Sequence, residues 1–164
     1  MSTDTTAAAR EPELPGQIVV AIGGSAGIGL ETARRARAEG AEVILTGRNP
    51  ERLERAAAEV GARGTAAFDA TDPAALDRFF DGLPARIDHV MVTGPGPYYA
   101  PLAELDRDQA HRDFASHQWL AVAVAQHAVG RVRPGGTLVF MGGTGGRHRG
   151  PGLSLIGAAT AAMP

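Results

Sequence analysis

The sequence predicts an α/β fold, a doubly wound parallel sheet of about five strands with helices on both faces. Three observations predict it. Short apolar runs recur, each bounded by glycine, proline or Asn/Asp. Segments of helical period separate them, so each connection is a crossover rather than a hairpin. The length, 164 residues, fits one domain.

Gln17-Ile-Val-Val-Ala-Ile22 is a continuous apolar run ending in glycines, as expected of a strand buried on both faces. A helix over 28–39 follows and stops at Gly40. Residues 42–46, Glu-Val-Ile-Leu-Thr, make the second strand. Asn49-Pro50 is an N-cap with proline at the first helical position, and Leu53, Ala56, Ala57 and Val60 repeat at helical spacing. The third strand is placed at 65–68. Thr71-Asp72-Pro73 opens a helix reaching about Asp81, and the fourth strand is placed at 88–93. A long helix covers 107–130. Pro134-Gly-Gly136 is expected to turn the chain into a fifth strand at 137–141, after which a glycine-rich loop leads to an apolar helix from Ser154.

Composition narrows the function classes. The formal net charge is −2, and no broad basic surface suggests nucleic acid. There is no cysteine, hence no disulfide or thiolate site, which is compatible with the reducing cytoplasm expected for this chain. No apolar stretch reaches the roughly 18 residues of a membrane span. Residues 1–16 are polar, alanine-rich and punctuated by proline. They are expected to be a mobile tail, and residues 17–164 a single α/β domain. The glycine content, 22 residues, is concentrated between the apolar runs, where loops at strand ends are expected.

Gly23-Gly24-Ser25-Ala26-Gly27-Ile28-Gly29 joins the first strand to the first helix. Glycines there let backbone N–H groups approach a pyrophosphate, and the helix N-terminus adds partial positive charge. Strand, glycine turn, helix and second strand fall within one compact unit, the context of a Rossmann-type site. At the end of the second strand an acid would hold the ribose of NAD. Thr46-Gly47-Arg48-Asn49 stands there instead. Arg48 offers a fork suited to a 2′-phosphate, and Gly47 leaves space beside it, so NADP(H) is expected over NAD(H). A solvated surface arginine is the plainer alternative.

These residues carry a resemblance. Residues 22–29, Thr46-Gly-Arg-Asn49, Phe68-Asp-Ala70 and the glycine-rich segment after the fourth strand resemble the short-chain dehydrogenase/reductase family, from about Gln17 to the last residue. Ile22 stands where that family usually has threonine. The resemblance implies hydride transfer between a nicotinamide and a carbonyl or alcohol. It also implies a cofactor site at Gly23, Ser25, Ala26, Gly27, Ile28, Gly29, Arg48, Asn49, Asp69, Ala70, Thr93 and Gly94, with Asp69 and Ala70 at the adenine.

The chemistry of that family rests on Asn, Ser, Tyr and Lys, the last two spaced Y-x-x-x-K on one helix face. Aligned here, Ile156 takes the tyrosine position, Thr160 the lysine position and Gly143 the serine position, with Thr144 adjacent as a substitute. Val92-Thr-Gly-Pro-Gly96 replaces the N-N-A-G element, and His117 falls at the usual asparagine.

No catalytic residue is therefore assigned, and three candidates remain: His117, Thr144 and Tyr99. His117 lies on the stripe Ala110, Phe114, His117, Ala121, Val124, Ala128, which faces inward. It is either a hydrogen-bonded core histidine or a proton relay. Tyr98 and Tyr99 lie just beyond the fourth strand, where ligands of such sheets bind, although most loop tyrosines merely pack. Trp119, Val122 and Val129 form a second apolar face on the long helix. It is either core or, as the resemblance implies, a subunit contact of a homo-oligomer that also uses the terminal helix. The remaining histidines have no metal-ligand spacing. Arg147-His148-Arg149 is expected to be a solvated loop rather than a nucleic-acid patch.

The leading expectation is a divergent NADP(H)-dependent oxidoreductase of unidentified small-molecule substrate. The alternative is a dinucleotide-binding pseudoenzyme that senses cofactor or binds a partner. A methyltransferase is disfavoured because Gly47-Arg48 supplies no acid for that cofactor's ribose. Family members continue well beyond this helix. The chain is therefore expected to be incomplete at its C-terminus, with the edge of the fifth strand and the apolar helix favouring association or low stability.

Overall fold

A computed structural model describes residues 13–94, 96–144, 147 and 150–162. The element order is β1 (Ile18–Ile22), α1 (Gly27–Ala38), β2 (Glu42–Gly47), α2 (Pro50–Val60), β3 (Gly64–Ala67), α3 (Pro73–Asp81) and β4 (Ile87–Val92). A 3₁₀ turn (Leu102–Glu104), α4 (Arg107–Ala128), β5 (Val132–Phe140) and α5 (Ser154–Ala161) follow. The strands form one sheet in the order β3-β2-β1-β4-β5, with every pairing parallel. The predicted doubly wound α/β sheet is what forms. The chain winds outward from β1 to β3, then returns to β4 on the other side of β1. That reversal places a crevice at the carboxyl ends of β1 and β4, where Ile22 pairs with Val92.

The continuous apolar character of β1 follows from its two buried faces. Val20 and Ile22 point toward α3 and α4, in a layer with Leu76, Phe80, Leu120 and Val124. Val19 and Ala21 point the other way, toward Ala33 and Ala36 of α1 and Leu53 and Val60 of α2. Fully burying a side chain such as Phe80 or Leu53 stabilises the fold by roughly 1.5–3 kcal/mol. The caps are legible in sequence. The Asn49 side chain accepts from the Arg52 N–H, and the Asp72 carboxylate accepts from the Ala74 and Ala75 N–H groups.

Strand bounds differ from expectation. β3 and β4 each begin and end one residue earlier than placed. Phe68 lies just past the strand, its N–H still donating to the Gly47 carbonyl, and its ring meets that of Phe79, 5.0 Å between centroids. β5 starts at Val132, so the expected turn at Pro134–Gly136 lies inside a strand. Ile87 pairs with Val132, but His89 already pairs with Thr137, so the extra residues loop out as a bulge. Proline has no N–H for the ladder. Gly136 passes so close to β4 that a Cβ there would sit 2.2 Å from the Asp88 carbonyl oxygen.

Residues 13–16, assigned from sequence to the tail, lie along the end of α1. The Leu14 N–H donates to the Glu39 carbonyl and the Gly16 N–H to the Gly40 carbonyl, and Leu14 packs on the α1/α2 core. Residues 1–12 lie outside the described residues.

A polar cluster closes the amino-terminal edge of the sheet. Asp88 accepts from the Ile18 N–H at 2.7 Å and pairs with Arg133. His89 Nε2–H donates to Gln17 Oε1 at 2.7 Å, which leaves Nδ1 to accept from the Thr137 hydroxyl at 2.8 Å. Burial works against the Asp88 charge, but the Ile18 N–H and the Arg133 guanidinium outweigh it and hold the carboxyl below the usual aspartate range. The folded value is depressed, so this stabilisation is complete above the unfolded pKa of about 4 and is lost as pH falls through the folded value. Asp88→Asn is expected to flatten the loss of stability below about pH 4, read by urea melts at pH 7 and pH 3. Equal acid dependence in both proteins would contradict this.

Candidate functional site

The site is built where the β1–α1 loop meets the end of β4. Gly23 has φ +88°, and a Cβ on it would lie 2.2 Å from Thr93 Oγ1. A Cβ on Gly29 would lie 2.4 Å from the Gly23 carbonyl oxygen. Both glycines are therefore required for the loop to fold against β4 and for α1 to begin beneath it. Thr93 ties the two together, its N–H donating to the Ile22 carbonyl and its hydroxyl lying 3.1 Å from the Gly23 carbonyl.

Along the carboxyl edge runs a cleft of about 680 Å³. Its floor is Gly23, Ser25, Ala26 and Gly27 of the glycine loop. Arg48 lines the β2 end, Asp69 and Ala70 the β3 end, and Thr93 and Gly94 the β4 end. These predicted residues thus share one cavity. Three of the others sit differently. Ile28 and Gly29 line a neighbouring cavity. Asn49 lines neither and spends its side chain on capping α2. Gly47 lines the same cleft, and a Cβ there would lie 2.6 Å from Ser25 Oγ, so its missing side chain also admits the buried Ser25.

Asp69 is prepared to accept. Its Oδ1 takes the Thr71 N–H at 2.9 Å and the Thr71 hydroxyl at 2.8 Å. These two bonds, with the charge of Arg48 behind them, hold its carboxyl below the usual range against a smaller opposing effect of burial. Arg48 and Arg52 supply positive charge on the same wall.

The second cavity, about 320 Å³, adjoins the first and shares Ala26, Thr93, Gly94 and Gly96 with it. It gathers Tyr99, His117, Gly143, Ile156 and Thr160, so the positions aligned with the serine, tyrosine and lysine do converge. Ile156 brings no ionisable group. The Thr160 hydroxyl donates along its own helix, 2.8 Å from the Ile156 carbonyl. Thr144 is exposed and lines neither cavity. Tyr98 is drawn away, its hydroxyl accepting the Asp106 N–H at the start of α4. Arg147 is exposed, and His148 and Arg149 lie outside the described residues.

Five residues of α4 line the larger cleft without having been singled out from sequence: Gln109, Arg112, Asp113, Ser116 and Leu120. Asp113 carries the most chemistry, being a carboxylate only 9 % exposed. Its position four residues before His117 was the available signal, since that spacing stacks the two side chains on one helix face. The apolar stripe masked it: Phe114 is only half-buried, and Asp113 takes the inward position. Among the described residues no cluster of His, Asp and Glu could hold a metal ion, and no helix is long and apolar enough to cross a membrane.

Comparison with known proteins shows the family. A family model described as enoyl-(acyl carrier protein) reductase matches residues 23–164. An oxidoreductase of Sarocladium schorii, asL5, is 31% identical over 156 residues, covering 92% of this chain and 63% of its own length. The NADP-dependent (R)-specific alcohol dehydrogenase of Lentilactobacillus kefiri is 38% identical over 71 residues, 42% of this chain and 28% of that protein. The crystal structure of a short-chain dehydrogenase/reductase from Serratia marcescens superposes with a TM-score of 0.84 at 24% identity, covering 91% of this chain and 64% of that one. This chain thus spans less than two thirds of the length of these proteins. A glycine loop tied to β4, a parallel sheet reversing at β1 and a match running through α5 have one common explanation: the chain belongs to the short-chain dehydrogenase/reductase family.

Proposed function

We propose that this chain carries the cofactor site of an NADP(H)-dependent oxidoreductase acting on a carbonyl or alcohol. The larger cleft supports this most directly. It joins backbone N–H groups at the α1 N-terminus, a cationic β2 end and the Asp69–Ala70 corner in one cavity. The residues present fit the group. Gly23 and Gly29 stand where any side chain would collide with backbone or Thr93, so only glycine lets the loop close on β4 with its backbone beside the cleft. Gly23–Gly29 would hold the pyrophosphate, Arg48 the 2′-phosphate, Asp69 and Ala70 the adenine, and Thr93 and Gly94 the inner ribose and nicotinamide end. When bound, the cofactor supplies or accepts a hydride. The Lentilactobacillus protein is named as NADP-dependent, which favours the same cofactor here.

A second reading keeps the cofactor and drops the turnover. It is favoured by Gly143, Ile156 and Thr160, which put no acid or base of their own into the adjoining cavity. NADPH titration followed by nucleotide fluorescence tests the shared premise, with binding expected in the micromolar range or tighter, as for about −8 kcal/mol. No binding below millimolar would sink both readings. Oxidation of NADPH with a panel of aldehydes and ketones separates them. Trp119 and Val122 on α4 and Val129 at its C-terminal end are exposed, and a homo-oligomer burying that face completes the proposal.

A further inference from the structure

The α4 wall of the larger cleft is one helix face, since Gln109, Arg112, Asp113, Ser116 and Leu120 recur at helical spacing. Its other polar groups have bonds of their own. The Arg112 guanidinium donates to Gln109 Oε1 at 3.1 Å, and the Ser116 hydroxyl donates to the Asp113 backbone carbonyl at 2.9 Å. The Asp113 side chain differs. It is 9 % exposed, and its Oδ2 is a buried oxygen with no hydrogen-bond donor among the described residues. His117 Nδ1 is 3.6 Å away, beyond hydrogen-bonding distance. By contrast, Asp69 accepts from Thr71, and Asp88 from Ile18 and Arg133. An acceptor buried without a donor costs free energy, and a donor carried in by a ligand recovers it.

Which donor it meets follows from what stands beside that helix face. Leu120, about two turns beyond Asp113, belongs to the core layer on which Phe68 and Ala70 pack. The Asp113 face of α4 therefore borders the cleft next to its β3 end, the Asp69–Ala70 corner. Of the parts of a nicotinamide dinucleotide, the phosphates offer acceptors, and the adenine offers an amine with two N–H donors. The ribose hydroxyls and the carboxamide fall, in the reading above, at the Arg48 and Thr93 ends. We infer that Asp113 accepts a hydrogen bond from the adenine amine and so selects an adenine-bearing cofactor. The inference rests on the cofactor reading and gives the dinucleotide a second polar wall. The amine has one N–H for each of two carboxylates, Asp69 from the β3 end and Asp113 from α4. Asp113 acts in binding and selection only, and no proton changes hands.

The test compares NADPH with its hypoxanthine counterpart, in which an oxygen replaces the amine, both titrated by the fluorescence of the reduced nicotinamide. The parent chain is expected to bind NADPH about tenfold or more tighter, because a site that accepts a hydrogen bond rejects an analogue lacking the donor. Asp113→Asn keeps the side chain's shape and brings an N–H that can donate to the hypoxanthine oxygen. It is expected to shrink the preference about fivefold or more, mainly by weakening NADPH binding. Asp113→Ala, which removes both oxygens, should shrink the preference as well and serves should the asparagine variant misfold. Circular dichroism of the cofactor-free variants should match the parent, since the Asp113 backbone carbonyl keeps its bond from Ser116. A preference unchanged in both variants overturns the inference. So does an equal loss of affinity for the two nucleotides, which would make Asp113 a part of the cleft's shape alone. A parent chain that binds neither nucleotide sinks the cofactor reading and this inference with it, whereas binding with an unchanged preference sinks the inference alone.

Discussion

Ile156→Tyr combined with Thr160→Lys is expected to raise carbonyl reduction by about 100-fold or more over the parent chain, the usual contribution of a positioned acid–base group. Both positions line the smaller cavity, one helical turn apart on α5. Ile156 is partly buried there beside open volume, so a tyrosine ring has a space to enter without repacking the core. The lysine ammonium at the next turn would lower the proton affinity of the phenol and bring it into the working range. α4 holds the helix in place, since the Gln118 side chain donates to the Ala159 carbonyl. Steady-state rates with NADPH and a panel of aldehydes would read the outcome. Should the double variant bind NADPH as well as the parent yet show no gain, even with Gly143→Ser added, α5 is not positioned for chemistry.

Arg48→Ala is expected to weaken NADPH binding about 10- to 100-fold and leave NADH binding within about twofold. A charge-assisted bond to phosphate contributes about 1.5–3 kcal/mol, and only NADPH carries that phosphate. Arg48 is exposed at the β2 end and contributes no core packing, so the variant should melt at the parent's temperature. Competition of the two nucleotides in one fluorescence titration checks it. Equal losses for both would show that Arg48 steers by charge alone, and Arg52 on the same wall would become the better candidate for the phosphate contact.

Much of the fold was legible because β/α alternation writes itself into local pattern. A strand covered on both faces must be apolar throughout, as Ile18–Ile22 is. A helix covered on one face must repeat its apolar residues, as Leu53, Ala56 and Val60 do. The bulge at Pro134–Gly136 was not legible. A Pro-Gly-Gly string encodes a local departure from regular backbone, but whether it ends a strand or bulges within one depends on whether β4 continues alongside.

The glycine loop and Arg48 were readable from order alone, because a loop that closes on β4 directly after a strand needs a bare backbone, and the β2 end is brought beside it by one crossover. By itself, then, the sequence determined the α/β class, the glycine loop that floors the larger cleft and the absence of tyrosine and lysine at their aligned positions. Only the tertiary structure decided that Gly47 makes room for Ser25 and that Asn49 is used as a cap. It alone placed a buried carboxylate from α4 against His117 between the two cavities. The physical reason is reach. Local patterns record what neighbours in the chain require, whereas burial and the pairing of a charge depend on groups that meet only when helices pack across the sheet.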